Sequence, residues 1–194
     1  MLKRLHYISG IILTIFILVH LGNHLMVLVS PEDHLSLMEQ LRKVYRHPVM
    51  ESVLLLAVAL QVFSGIKLYR QLKAQNSGTK VDRYQILTGL YLAFFLLLHV
   101  SAVLMGRLVF NLDTNLYFGA AGLNKFPLYL FFVPYYLTAV IAVFGHIACI
   151  HFRKTQRLLQ SQILFGLGCI IAVLILIGMI GLRIPAQYYE PYGI

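Results

Sequence analysis

Two histidines stand where an ionisable side chain is expensive. His20 and His99 each lie inside a membrane-length stretch free of Lys, Arg, Asp and Glu. An imidazole in hydrocarbon costs free energy and marks function by default. Their surroundings also repeat. Ser9-Gly10, five residues, Phe16, three residues and His20 are matched by Thr88-Gly89, five residues, Phe95, three residues and His99. Neutral imidazole is a good iron ligand, and two of them give a low-spin, electron-transferring centre rather than an oxygen site. The matched pair therefore points to one shared ligand, a haem iron, with His20 and His99 as its metal ligands. The alternative is that both rings hydrogen-bond across a helix interface.

Other chemistry-bearing residues are arranged around this pair. Phe16 and Phe95 lie one helical turn from their histidines, on the same face, where they would flank a macrocycle. His24 lies one turn beyond His20. It is a candidate to meet a haem propionate or a quinone head group, or simply to end the helix on a polar residue. Arg107, eight residues beyond His99, and Arg42 or Arg46 are candidates for charge-assisted bonds to propionates, or for interface anchors. His146 precedes Arg153 by seven residues and Gln61 precedes Lys67 by six. Those two are matched in depth near the other membrane face. They read as a second haem site with His146 as metal ligand and one ligand missing, since a Gln amide is not a usual haem ligand. His6, His34, His47 and His151 fall near helix ends and receive no role.

The elements that must carry these side chains follow from composition. The chain has 194 residues, 59% of them hydrophobic and 12% charged, with a mean hydropathy of +0.78. A water-soluble domain cannot hide that much apolar surface, so the class is an all-α integral membrane protein. Uncharged runs at 5–31, 52–66, 84–106, 126–152 and 158–182 predict five transmembrane helices, near 6–30, 48–70, 84–107, 127–153 and 160–183, in one membrane domain spanning 1–194. The first is too long, and too rich in histidine, for a cleaved signal peptide. Ser30-Pro31-Glu32-Asp33 is a helix start and predicts a short interfacial helix. Gln75-Asn76-Ser77-Gly78-Thr79 reads as a polar turn. The loop 107–125 is mildly apolar and is expected to fold back over the surface. Tyr188-Tyr189-Glu190-Pro191-Tyr192 resembles an interfacial aromatic anchor, and Gly178 and Gly181 would allow close packing. Cys149 and Cys169 are read as inert buried thiols.

Charge sets the expected orientation. With the N-terminus inside, the inner loops hold ten bases against the single acid Asp82, and the outer loops hold six bases against six acids. The positive-inside rule predicts N-in, C-out, in the cell's inner (cytoplasmic) membrane. His20 then lies about 20 Å along the first helix and His99 about 22 Å along the third, at nearly equal depth in the outer half. That is what one bis-histidine haem between two helices requires, inside a bundle formed by helices 1–4.

At these residues the chain resembles the cytochrome b membrane subunit of the succinate dehydrogenase and fumarate reductase family, most closely the single-chain, five-helix branch. Arg4-Leu5-His6-Tyr7-Ile8-Ser9-Gly10 with His20 looks like that family's first helix and outer-haem ligand. Thr88-Gly89 with His99 looks like the helix supplying the partner ligand, and Gly145-His146-Ile147-Ala148 with Arg153 like a helix supplying an inner-haem ligand. The segment 48–68, with Glu51, Gly65 and Lys67, resembles the helix that carries the other inner ligand, where this chain has Gln61. Phe144 stands where two-haem members carry an acid tied to proton movement, and Tyr7 where many carry an Arg. The resemblance implies a haem b subunit that passes electrons between a membrane quinone and iron–sulfur and flavoprotein subunits docked on the cytoplasmic face.

Other classes fit less of the sequence. No Ser-His-acid constellation, phosphate loop or zinc spacing occurs in a plausible setting, and no soluble basic domain exists to bind nucleic acid. A structural anchor that has lost one or both haems would account for Gln61 and Phe144. A transporter with intramembrane histidines lacks any mid-span acid or base for proton coupling.

Overall fold

The computed structural model describes residues 1–74 and 78–193, and all regular structure among them is helical. The order is α1 (Leu2–Leu25), α2 (Pro31–Tyr45), α3 (Pro48–Ala74), α4 (Lys80–Leu108), α5 (Leu116–Ala121), α6 (Tyr129–Thr155) and α7 (Leu158–Met179), with 3₁₀ turns at Met26–Leu28, Ala186–Tyr188 and Glu190–Tyr192. Five of these, α1, α3, α4, α6 and α7, are long and apolar enough to cross a membrane. They match the five expected spans in order. Several are longer than the uncharged runs: α1 starts at Leu2, α3 runs to Ala74 and α4 starts at Lys80. Absence of charge marks the hydrocarbon depth, whereas a helix ends where its backbone bonds are capped.

Those caps are specific. The Ser30 hydroxyl accepts the Asp33 N–H at 3.0 Å, with Pro31, Glu32 and Asp33 filling the first turn of the expected interfacial helix α2. Thr79 and Asp82 form a reciprocal capping box that starts α4 one turn earlier than expected. Of the polar turn, Gln75 to Ser77 lie outside the described residues. The expected fold-back of 107–125 is present: Asn115 caps α5 through its side chain, and Leu116, Ala120 and Ala121 are buried.

The dry core does not lie between α1, α3, α4 and α6. Leu21, Val27, Leu116, Ala120, Leu123, Phe144, Ile175, Leu176 and Met179 cluster where α6 and α7 meet the end of α1 and α5. Glycines let this core close. A Cβ at Gly168 would lie 2.3 Å from Phe144 Cβ, and one at Gly178 2.4 Å from Val27. Gly178 therefore does the close packing expected of it. Gly181 serves a turn instead, with φ +89, its N–H donated to Asn124 Oδ1 at 2.6 Å. The C-terminal aromatics divide: Tyr188 is buried beside Tyr117, and Lys125 lies over the Tyr189 ring. Tyr188 is thus a packing residue rather than an interface anchor. Cys149 and Cys169 are free thiols, partly rather than fully buried.

Candidate functional site

Four helices leave space between them. A cavity of about 980 Å³ is lined by α1, α3, α4 and α6 and runs from the α2 end to the opposite, basic end. Of the sequence-derived site residues, His20, His24, Phe16, Gln61, Phe95, His99, Arg107 and His146 all line it. Its chemistry divides into two sets.

At the α2 end, the His20 and His99 ring centres are 6.2 Å apart. A metal–imidazole nitrogen bond is about 2.0–2.1 Å and that nitrogen stands roughly 1.1 Å from its ring centre, so two imidazoles facing across one metal have centres about 6.3 Å apart. Phe16 stacks on His20 at 5.6 Å and Phe95 on His99 at 5.0 Å. Each phenylalanine therefore fixes a ring plane rather than contributing only bulk. Among the described residues no group of three or more His, Cys, Asp or Glu is arranged to hold a bare metal ion. Two imidazoles beside a large apolar cavity fit a metal whose other ligands come from a macrocycle, and the donor set fits haem.

His24 occupies a position the sequence left open. Its Nε2 lies 3.2 Å from His20 Nε2, and its Nδ1 3.3 Å from His34 Nε2. The Asn23 amide donates to the same His34 Nε2 at 3.3 Å. With His34 Nε2 as acceptor, its single lone pair is shared between the Asn23 amide and His24 Nδ1–H, which leaves His24 Nε2 to accept from His20 Nε2–H. Ligation by His20 Nε2 requires that hydrogen to leave, so it costs the contact with His24, about 0.5–1.5 kcal/mol.

His34, assigned nothing from sequence, is 1% exposed. Burial, with the neighbouring His20 and Arg42, lowers its pKa to about 4. An imidazole with a depressed folded pKa takes up its proton first in the unfolded chain. Stability is full above about pH 6.5 and falls as pH drops toward 4. Unfolding midpoints measured between pH 7 and pH 5 should decline more steeply in wild type than in His34→Gln. Equal slopes would remove His34 as the cause.

The basic end explains the first two residues of the repeat. Ser9 donates its hydroxyl to Gln61 Oε1 at 2.7 Å, and Thr88 Oγ1 lies 3.2 Å from His146 Nδ1. A Cβ on Gly10 would meet the Gln61 amide at 3.4 Å, and one on Gly89 the His146 ring at 3.1 Å. In each copy the hydroxyl holds, and the glycine admits, the polar residue of the antiparallel neighbour. The α1–α3 and α4–α6 pairs are built alike.

Hydrogen bonds also set the tautomers here. His146 Nδ1 lies 3.1 Å from the Gln85 carbonyl, which can only accept, so Nε2 keeps the lone pair. His6 was passed over in the sequence, yet its Nδ1 lies 2.9 Å from Ser64 Oγ and its Nε2 3.2 Å from the Gln61 amide nitrogen. The Ser64 hydroxyl is donated to the Leu60 carbonyl, so it accepts from His6, and His6 Nε2 accepts from Gln61. Gln61 is thus satisfied at both ends of its amide by α1. The sequence signal for His6 was its i,i+3 relation to Ser9, on a helix whose polar residues share a face. His47 is exposed, and His151 bonds Ser161 between α6 and α7 at 3.0 Å.

Phe144 does not face the cavity. Two residues along a helix is about 200°, so it points away from His146 and packs on Gly168 of α7. The position is structural in this chain. At the cavity mouth Arg107 pairs with Glu51, and Arg42 with Glu39 and Asp113 at 2.7 Å each. At the other end Tyr7, half exposed, lies under Lys154 Nζ. No family model, curated protein or solved structure matches the chain.

Proposed function

We propose that the protein is a haem b membrane anchor subunit of a quinone oxidoreductase of the succinate dehydrogenase and fumarate reductase type. It passes electrons between a membrane quinone and an iron–sulfur and flavoprotein partner. The observation that carries the proposal is the 6.2 Å separation of His20 and His99 at a large cavity. Haem bound there supplies reversible one-electron exchange.

The chain's own residues set the conditions for that exchange. His20 and His99 hold the metal from two helices, and Phe16 and Phe95 keep their rings from turning. The apolar lining excludes water and favours the less charged redox state. No residue in the most apolar 18-residue stretch of α4 is fully buried. α4 packs on α6 and α3, and its remaining inward surface lines the cavity, where a bound ligand would add contacts.

One haem accounts for the donors better than two. A second would need Gln61 to release His6, and Gln61 has no lone pair suited to iron. At that end the Ser9, His6 and Thr88 hydrogens are already donated within the protein, which leaves the second Gln61 amide hydrogen to meet a carbonyl oxygen of a quinone head group. Ten exposed bases, Lys3, Arg4, Lys67, Arg70, Lys73, Lys80, Arg83, Arg153, Lys154 and Arg157, ring that end. They favour a cytoplasmic placement in the inner membrane and a partner face there. The satisfied Gln61 also favours a second reading, a structural anchor that keeps the bundle without redox duty.

Purification in mild detergent with a pyridine haemochrome assay separates the two. About one haem per chain, with the sharp reduced-minus-oxidised bands of a low-spin b haem, is expected. A colourless protein from haem-sufficient cells leaves only the anchor.

A further inference from the structure

Three guanidinium groups stand at the α2 end of the molecule, and their charges are not equally answered. Arg42 lies between the carboxylates of Glu39 and Asp113. Arg107 is paired with Glu51. Arg46 meets only the Thr114 hydroxyl, at 2.8 Å, among the described residues. Partial burial and the neighbouring charges of Arg42 and Arg107 lower its pKa, against the smaller opposing influence of Tyr45 and Asp113. A partly exposed guanidinium with five donors and one hydroxyl acceptor has donors left for a further ligand.

Its position gives that imbalance a meaning. Arg46 and Thr114 both line the cavity, together with His20 and His99. Tyr45, the preceding residue, packs edge-on against Phe16 at 5.7 Å, and Phe16 stacks on His20. The guanidinium without a carboxylate pair is therefore tied through two aromatic contacts to a histidine of the candidate metal pair. A planar guanidinium prefers a carboxylate, which it grips with two parallel hydrogen bonds, to a hydroxyl.

We infer that Arg46 binds a carboxylate carried by the molecule in the cavity, in place of the Thr114 hydroxyl. This rests on the haem reading, in which the carboxylate is a porphyrin propionate. Arg42 and Arg107 already have carboxylate partners and hold the loop and helices around the mouth. Arg107, the stronger candidate from sequence alone, becomes a tie between α3 and α4.

The test uses full-length apoprotein, wild type and Arg46→Gln, reconstituted with haem and with haem dimethyl ester, whose carboxylates are capped. Wild type should bind haem about tenfold to a hundredfold more tightly than the ester. Arg46→Gln should bind the two alike, with an unchanged low-spin spectrum. Thr114→Val should keep the wild-type preference. Arg46→Lys should keep part of it, and serves if the Gln variant does not fold. Equal binding of haem and ester by wild type overturns the inference, as does a preference that survives in Arg46→Gln. If neither pigment binds wild type, the haem reading itself fails, which is a different result.

Discussion

His99→Ala is expected to strip the protein of haem while leaving the five-helix bundle assembled. The His99 ring stacks on Phe95 and faces His20 across the cavity rather than filling the core. Its ring contacts are with Phe95, Tyr136 and His20, outside the packed core at α6 and α7. His20→Ala is the less clean variant, because it also takes away the contact with His24 at 3.2 Å. Haem content should fall from about one per chain to near none, since one imidazole alone does not give the low-spin centre. Haem and free imidazole added together to the variant should restore the low-spin bands, the imidazole entering the space left behind. His151→Ala, at the α6–α7 contact with Ser161, should leave the spectrum as it was. An unaltered spectrum in His99→Ala would remove that residue from the metal and the proposed function with it.

The second large effect is on folding. Gly168→Ala places a Cβ 2.3 Å from Phe144 Cβ, with both residues on helix backbones that cannot give by a side-chain rotation. Phe144 is buried in the core cluster that joins α6 to α7. The helices must separate, which costs about 1–3 kcal/mol or more and loosens the main packed interface of the bundle. A fall in the thermal unfolding midpoint in detergent, with earlier aggregation on size exclusion, is the expected readout. Phe144→Ala alone should also destabilise, by leaving a cavity. Phe144→Ala keeps the Cβ that a methyl at Gly168 meets at 2.3 Å, so it is Phe144→Gly combined with Gly168→Ala that should lose less than the sum of its two single losses. Strict additivity would mean that the two side chains do not compete for one space.

The two effects fall on different sides of α6. His146 and Phe144 differ by two positions, one facing the cavity and the other α7. Lipid is as apolar as the helices it surrounds, so burial alone does little to hold them together, and close packing carries the association. That is why the glycine contacts, rather than the many exposed leucines and isoleucines, govern the fold.

Much of this was legible in the chain. Five helices of membrane length follow from the absence of charge over long apolar runs, because an unpaired charge or backbone group in hydrocarbon is too costly to hide. The start of α2 could be read from Ser30, Pro31 and Asp33, since a cap is a local event. The repeat around His20 and His99 marked both residues before any coordinates, and helical rise put them at one depth. What sequence alone could not give was direction around each helix axis. Only the packed helices show that His34 closes on His24, that His6 rather than His146 meets Gln61, and that Phe144 turns toward Gly168. They also show which arginine at the mouth lacks a carboxylate. Each of these depends on residues far apart in the chain, brought together by helix rotation and approach. Hydropathy fixes how deep a side chain lies, and tertiary packing decides what it faces.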